Sequence, residues 1–229
     1  MNKYIKHLSE ILENNNVCPS HGLDHALAVL NHAKQALKYE PNPNTKEQEA
    51  ILLASLLHDA DDKKFFPNNL NYENVRLILN DKENNFIELV IEMIDLVSAS
   101  INGDNIPEHI HNKLWMLIPR YSDRLEAIGI VGIKRCYIYN TTINSPLFLE
   151  NTPRLTNEED IINLSLDRYK SYCGSSISMI DHYYDKLIAI TFFPINNKYL
   201  IDESNLRRQP LINFVKYFGE NNEIDTKYI

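Results

Sequence analysis

The 229-residue chain is poor in cysteine and glycine, with three and six residues respectively, and it has no long apolar run. Cys18, Cys136 and Cys173 are far apart and odd in number, a pattern typical of reduced thiols rather than of a disulfide-bonded secreted domain. The apolar runs are far too short to span a bilayer, and the first residues lack the apolar stretch of a signal peptide. We therefore expect a soluble, cytoplasmic protein with no membrane partner.

Positive charge is also scarce, because 23 Lys and Arg residues face 31 Asp and Glu residues, a net charge of −8. A chain without a basic stripe is not expected to bind nucleic acid, so a nuclease is disfavoured. A small anionic substrate could bind only where a metal ion or local cations reverse the sign. The 44% hydrophobic fraction excludes a disordered chain and supplies a core.

Apolar residues recur at helical spacing through most of the sequence, and no strand pattern competes, so we predict an all-α fold. The run Ala50–Leu57 is apolar on nearly every side and is predicted to form a central helix. Other predicted helices contain the stripes that start at Ile5 and Leu23, the ranges Tyr72–Leu79, Phe86–Val97 and Ser122–Tyr139, a penultimate helix from about Ser176 and a terminal helix around Leu211–Phe218.

Helix boundaries follow from capping residues and prolines. The capping boxes Thr45-x-x-Gln48 and Thr156-x-x-Glu159 are predicted to open two helices, and Gly219 to close the last one. Pro119 is expected to end or kink a helix, so that a new one opens at Ser122. Residues 140–153 are predicted to be irregular, either as an ordered loop or as a mobile flap.

The pair His58-Asp59 ends the most apolar predicted helix. An imidazole and a carboxylate that are partly buried there need a partner, because an unpaired buried charge costs several kcal/mol. A divalent cation is one such partner. His25 and Asp123 are further candidates that a helical bundle could bring to the same place, which gives two nitrogen and two oxygen donors. That set suits Mn²⁺, Mg²⁺, Fe²⁺, Co²⁺ or Ni²⁺ and leaves coordination positions for water and substrate.

Three segments around these candidate ligands resemble those of a known family: HGLDH at 21–25, LLASLLHDADD at 52–62 and YSDRLEAIGIVGI at 121–133. Together they resemble the HD-domain metal-dependent phosphohydrolases, whose pattern is H…HD…D. A later segment, SISMIDHYYDKL at 176–187, is similar to the bacterial YpgQ-type nucleotide pyrophosphohydrolases. The resemblance implies that the metal ligands are His25, His58, Asp59 and Asp123.

The resemblance also implies a fold, an HD-domain helical bundle with the metal at its centre. We expect one domain over residues 1–229, with a metal-binding core at about 20–140 and a C-terminal helical extension at about 154–229. Two-metal relatives have more histidines before the final Asp, and this chain offers only His109 and His111 there. Residues two apart on a helix point about 200° apart, so both cannot reach one site unless that segment is irregular. One divalent metal ion is therefore favoured, with Mn²⁺ as the first expectation, and His111 as a ligand of a second metal is the alternative.

Other residues are candidates for the reaction itself. Asp62, just beyond Asp59, is the best candidate to orient the attacking water or shuttle its proton, although a solvated helix end is the alternative. Lys64 could meet phosphate charge. His182 and Lys186, four residues apart, and the adjacent Tyr183 could grip a phosphate and stack on a base. The alternative for these three is the edge of an amphipathic helix.

The expected function is a divalent-metal phosphohydrolase acting on a small phosphorylated molecule. The subgroup resemblance favours a nucleotide, perhaps a (deoxy)nucleoside triphosphate cleaved to the monophosphate and pyrophosphate. A phosphomonoesterase or cyclic-nucleotide phosphodiesterase would use the same centre, and a non-catalytic metal- or nucleotide-binding regulatory module is the alternative from another class. The sequence leaves the base, the metal used in the cell and the oligomeric state open.

Overall fold

The computed structural model describes the backbone of residues 1–229 and all side chains except those of Ser20, Ala99 and Ser100. No β-strand occurs in the backbone so described, and the all-α prediction is confirmed. None of the helices searched in the described chain is long and apolar enough to cross a membrane. The α-helices are α1 (Asn2–Asn14), α2 (Leu23–Leu37), α3 (Thr45–Leu57), α4 (Glu73–Ile78), α5 (Asn84–Asp95), α6 (Ala99–Asn102), α7 (Ile118–Ala127), α8 (Gly129–Thr142), α9 (Glu158–Tyr169), α10 (Met179–His182) and α11 (Lys198–Asn221).

The chain divides into two compact units. The N-terminal unit comprises residues 1–123 and 197–199, and the C-terminal unit comprises residues 124–196 and 200–229. The division therefore falls after Asp123, and the single domain expected from the sequence stays a prediction.

In the N-terminal unit, α3 is the central helix, and it packs against α2 and α5. Its apolar residues are buried on nearly every side, as the run Ala50–Leu57 predicted, and only Leu52 in that run is half-buried. Each large aliphatic side chain buried there contributes about 1.5–3 kcal/mol, which holds the end of α3 firmly in place. Arg120, in the first turn of α7, is also buried and donates to the carbonyls of Leu96 and Asn105, which fixes the start of that helix.

Two predicted capping boxes are displaced by one residue. Asn44 caps α3: its side-chain oxygen accepts from the backbone N–H groups of Lys46 and Glu47, and Glu47 accepts from the backbone N–H of Asn44. The predicted box at Thr45 and Gln48 is therefore wrong. At α9 the cap is Asn157 in place of Thr156, and its side-chain oxygen accepts from the backbone N–H groups of Glu159 and Asp160.

The predicted break at Pro119 is also wrong. Pro119 lies in the first turn of α7, where a missing N–H costs nothing because that group has no partner within the helix. Asp123 consequently lies in the middle of α7 and does not open a helix. The break comes instead at Ile128, which is extended, and at Gly129, whose φ of +72° favours glycine.

In the C-terminal unit, the sequence predicts one continuous penultimate helix from about Ser176, whereas the structure has three short helical elements there. After α10 come one π-helical turn at Tyr183–Leu187 and a 3₁₀ turn at Ala189–Thr191. Ile177, within the range predicted for this helix, precedes α10 and is exposed. The irregular segment between α8 and α9 packs against α10. The N–H of Met179 donates to the carbonyl of Pro146, and the buried hydroxyl of Thr152 donates to the carboxylate of Asp181.

Gly219 does not close the terminal helix, which continues to Asn221 and ends at Asn222 with a φ of +58°. Glycine is needed at 219 for another reason. A Cβ atom there would lie 2.2 Å from the carbonyl oxygen of Leu155, closer than atoms can approach. Gly219→Ala should therefore lower the free energy of unfolding by about 1–3 kcal/mol, measured by denaturant titration.

The matched control for this prediction is Gly22→Ala, whose Cβ would meet no described atom closer than 3.5 Å. This variant should unfold at nearly the wild-type denaturant concentration. If the two variants are equally stable, the close approach of Leu155 to Gly219 does not constrain α11.

Candidate metal centre

Four of the residues singled out in the sequence come together in the N-terminal unit. His25 lies in the first turn of α2, His58 and Asp59 follow the last residue of α3, and Asp123 lies in α7. The Nε2 atoms of His25 and His58 are 3.2 Å apart, and an oxygen of Asp123 is 3.3 Å from the first and 3.5 Å from the second. An oxygen of Asp59 is 3.7 Å and 3.5 Å from the same two nitrogens.

The orientation of His58 follows from its place at the end of α3. Its Nδ1 is 3.0 Å from the carbonyl oxygen of Ser55, three residues earlier, one of the last-turn carbonyls that have no partner within a helix. Because a carbonyl only accepts, Nδ1 carries the proton and donates. Once Nε2 has lost its proton, the neutral imidazole directs the lone pair of that atom towards the other three residues, which is the arrangement typical of a metal-binding histidine.

The electrostatics of the cluster are those of a site that attracts cations. Burial on its own would lower the pKa of His58, but the nearby carboxylates of Asp59 and Asp123 outweigh it and raise that pKa to about 9. Burial would raise the pKa of Asp123, whereas hydrogen bonds with His25 and His58 hold it well below its usual range. Without a metal, a proton on His58 therefore compensates part of the carboxylate charge.

The donor set fits a divalent metal ion. Ligand atoms about 2.1 Å from one cation are about 3.0–3.4 Å apart when they occupy neighbouring positions. The shortest separation in the cluster, 3.2 Å between the Nε2 atoms of His25 and His58, falls in that range. One donor atom from each of His25, His58 and Asp123 lies within 4.8 Å of the other two. The Asp59 carboxylate, by its distances from both histidines, can complete a set of two nitrogens and two oxygens.

Asp61 has a structural role that the sequence did not reveal. Its carboxylate accepts hydrogen bonds from the side chain of Asn69 and from the backbone N–H groups of Asn74 and Val75, in the first turn of α4. It therefore closes the loop that follows Asp59 and caps α4. The spacing to α4 is too long for a capping motif, so no sequence signal indicated this.

Asp62 and Lys64 lie in the same loop. Asp62 is half-buried, and its carboxylate accepts from the backbone N–H of Lys64 at 2.8 Å. The Lys64 side chain is exposed. A proton-transfer role for Asp62 and a phosphate-binding role for Lys64 stay predictions.

The other histidines of this region have different partners. The ring of His21 lies 5.2 Å from that of Phe65 and 6.2 Å from that of His25. His109 contacts Glu92 at 2.8 Å, and Nε2 of His111 is 3.1 Å from the carbonyl of Ile106. Both are exposed, so nothing in their contacts favours a second metal ion.

Three of the four predicted substrate-binding residues, His182, Tyr183 and Lys186, lie in the C-terminal unit, at α10 and the π-helical turn. His182 and Lys186 are half-buried, and their proposed role stays a prediction. Tyr183 is different: its side chain is 0% exposed, and its ring stacks on Phe214 at 5.1 Å. The prediction that Tyr183 stacks on a base is therefore wrong, because its ring is part of the core.

Comparison with known proteins gives one relative and several structural neighbours. No family model matches the sequence. The chain is 40% identical over 230 residues to uncharacterized protein L803 of Acanthamoeba polyphaga mimivirus, an alignment that covers 91% of this chain and 92% of the relative.

Solved structures with a similar fold include a Lactobacillus plantarum protein (TM-score 0.66, 21% identity, 96% of this chain and 94% of that one). An HD-superfamily hydrolase from Bacillus thuringiensis has a TM-score of 0.63 and 19% identity, covering 95% of this chain and 93% of its own. The Lin1889 protein of Listeria innocua has a TM-score of 0.59 and 20% identity, with 94% and 97% covered. The expected HD-domain fold is confirmed.

Proposed function

Because the chain belongs to the same family as the mimivirus protein L803 and has the HD-domain fold, we propose that it is a divalent-metal-dependent phosphohydrolase. The observation that carries this proposal is that donor atoms of His25, His58 and Asp123 lie within 4.8 Å of one another, with the Asp59 carboxylate 3.7 Å and 3.5 Å from the two histidine nitrogens. Donors of this kind bind a cation and leave room for other ligands. The acidic chain itself would repel a phosphate, so such a cation also supplies the attraction that the substrate needs.

In the proposed mechanism, His25, His58, Asp59 and Asp123 would hold the cation, with Mn²⁺ as the first candidate and Mg²⁺, Ni²⁺, Co²⁺ or Fe²⁺ as alternatives. A bound divalent cation lowers the pKa of water and polarises a phosphoryl oxygen. Asp62 would orient the attacking water or accept its proton. The ammonium group of Lys64 would bind phosphate oxygens as negative charge develops on them. Lys186 is proposed as a phosphate-binding residue from the resemblance of its own segment.

For the substrate we propose a nucleotide, with a (deoxy)nucleoside triphosphate cleaved to the monophosphate and pyrophosphate. The support is the similarity of residues 176–187 to the YpgQ-type pyrophosphohydrolases, together with a lysine and aromatic rings at that segment. The scarcity of cysteine favours a reducing compartment, and we propose the cytoplasm.

A substrate panel tests the proposal. The metal-stripped protein is supplied with Mn²⁺, Mg²⁺, Ni²⁺ or Co²⁺ and offered dNTPs, NTPs, nucleoside monophosphates and cyclic nucleotides, and the release of phosphate and pyrophosphate is measured. Pyrophosphate from triphosphates is the expected result. Phosphate from monophosphates alone would indicate a phosphomonoesterase, and opening of cyclic nucleotides a phosphodiesterase. A protein that binds metal and hydrolyses nothing would be a regulatory module.

Lys186→Ala should raise KM about tenfold or more, with metal content unchanged, because a charge-assisted hydrogen bond to phosphate is worth about 1.5–3 kcal/mol. Lys170→Ala is the matched control, since Lys170 is an exposed lysine of the same unit that pairs with Asp167. Measurement of KM, kcat and bound metal in both variants tests whether Lys186 binds substrate. Loss of metal or of folding in the Lys186 variant would instead assign this lysine to structure.

A further inference from the structure

A cavity of about 370 Å³ lies within the C-terminal unit, between the segment that follows the 3₁₀ turn and the first half of α11. Its volume is in the range of small-molecule sites in proteins. Of the described residues that line it, Arg208 alone is charged, and the apolar part of its lining consists of Phe192, Phe193, Pro194 and Ile201. We name this space, defined by these five residues, the Arg208 cavity. None of the five is a candidate metal ligand.

The guanidinium group of Arg208 is held in one orientation. Its central carbon lies 3.8 Å from the centroid of the Phe192 ring, which is a cation–π contact. Its Nε donates to the hydroxyl of Thr191 at 2.7 Å, and its Nη2 donates to the carbonyl of the same residue at 3.0 Å. Thr191 is buried, and its carbonyl also accepts from the hydroxyl of Ser204. Because the arginine is already ordered, a ligand that binds it would immobilise little additional side chain.

The positive charge of Arg208 is not neutralised by these contacts. Both of its acceptors are uncharged oxygens of Thr191, and no carboxylate in the described part of the chain forms a salt bridge with it. Arg168 and Arg207 of the same unit, by contrast, each pair with carboxylates. Burial lowers the pKa of Arg208 and the charge of Glu158 opposes this effect, but a guanidinium group stays protonated at physiological pH. An anion in the cavity would therefore meet an ordered cation whose charge is still available.

The lining of the cavity selects among anions. A planar guanidinium group matches the geometry of a carboxylate or a phosphate. A single arginine compensates one negative charge, and both the nearby charge of Glu158 and the net charge of −8 disfavour a second one. Phe192, Phe193 and Ile201 are half-buried, so part of their apolar surface stays accessible to a ligand. A monoanion with an apolar body suits this combination better than a phosphate does.

We propose that the Arg208 cavity binds a small monocarboxylate with a compact apolar body. The carboxylate would accept hydrogen bonds from the guanidinium group of Arg208, and the apolar body would contact Phe193 and Ile201. Removal of that body from water would add to the affinity. This binding site is additional to the candidate metal centre, and the inference does not rest on the proposed function.

Calorimetric titration with benzoate tests the inference, in the presence of EDTA so that the carboxylate cannot bind a metal ion. The wild type should bind one benzoate per chain, and Arg208→Ala should raise Kd about 10- to 100-fold, the usual loss when a hydrogen bond to a charged group is removed. Ile201→Trp should abolish binding, because the larger side chain fills the cavity and leaves the contacts of Arg208 with Thr191 in place. Arg154→Ala is the matched control and should not change Kd. Arg154 belongs to the same unit and lies over the ring of Phe218 at 5.5 Å, but it does not line the cavity.

A series of ligands separates the contributions of charge and apolar body. Benzyl alcohol keeps the ring without the charge, and acetate keeps the charge without the ring, so each should bind at least about tenfold more weakly than benzoate. Three results would overturn the inference: no saturable binding of benzoate to the wild type, an unchanged Kd in folded Ile201→Trp, or tighter binding of phenyl phosphate than of benzoate. If Arg208→Ala does not fold, Ile201→Trp and the ligand series decide the question.

Discussion

Asp59→Ala will lose stoichiometric Mn²⁺ binding and will hydrolyse its substrate about a thousandfold more slowly than wild type. The substitution removes an anionic oxygen that lies 3.5 Å from His58 and 3.7 Å from His25. The remaining carboxylate of Asp123 would have to hold the cation with the two imidazoles alone. Metal content by atomic spectroscopy and turnover in the substrate panel measure the two effects together.

A matched control separates loss of the ligand from a general loss of acidic charge. Asp81→Ala removes a carboxylate of the same unit that pairs with Lys3 at the surface. That variant should bind one Mn²⁺ per chain and keep wild-type turnover. An Asp59→Ala variant with full metal content and full turnover would refute the site.

The affinity for Mn²⁺ will rise by about tenfold for each pH unit between pH 6.5 and 8.5, because His58 must lose its proton before Nε2 can bind a cation. Without metal, the carboxylates of Asp59 and Asp123 outweigh burial and raise the pKa of His58 to about 9. Over this range one proton should therefore be released for each Mn²⁺ bound. Calorimetric titrations at several pH values, in buffers of different ionisation enthalpy, measure both the affinity and the proton count.

The stability of the metal-free protein should respond to pH in the opposite direction. A raised pKa in the folded state makes the His58 contribution fully present below pH 6.5, and it is lost as pH rises through about 9. Asp123 has a lowered pKa, so its contribution is present above its ordinary pKa and is lost in acid. Added Mn²⁺ should therefore raise the unfolding temperature more at pH 8.5 than at pH 6.5. An affinity that does not change with pH would show that no ligand carries a proton in the metal-free site.

The candidate metal ligands could be predicted from the sequence because a buried imidazole and carboxylate require a charged partner. A histidine and an aspartate at the end of an apolar helix need a partner, and that need is independent of where neighbouring helices begin. Asp123 was identified although its helix was placed incorrectly, since its position in the H…HD…D pattern does not depend on the role of Pro119. The orienting carbonyl of Ser55 could also have been predicted, because the last carbonyls of any helix seek donors.

The predicted helix starts differ from the observed caps Asn44 and Asn157 because an asparagine and a threonine are adjacent at both places. The spacings Thr45-x-x-Gln48 and Thr156-x-x-Glu159 fit a capping box and favour the threonine. Asparagine caps a helix at least as well as threonine does, because its side-chain oxygen reaches the same backbone N–H groups. In both cases the structure places the cap one residue from the threonine, so local chemistry alone would have sufficed.

The substrate-binding residues could not be settled from the sequence, because they depend on long-range packing. The four-residue spacing of His182 and Lys186 assumed a regular α-helix, whereas the chain forms a π-helical turn between them. Tyr183 is buried by stacking on Phe214, thirty-one positions further along the chain, which no local pattern indicates.

Electron spin-echo spectroscopy of Mn²⁺ bound to the metal-stripped protein tests the central claim most directly, since it detects nitrogen ligands of the bound ion. One Mn²⁺ per chain with imidazole nitrogen coupling, lost in both His25→Ala and His58→Ala, is the expected result. Bound Mn²⁺ without nitrogen coupling, or no bound metal at any pH between 6.5 and 8.5, would show that these side chains do not form a metal site.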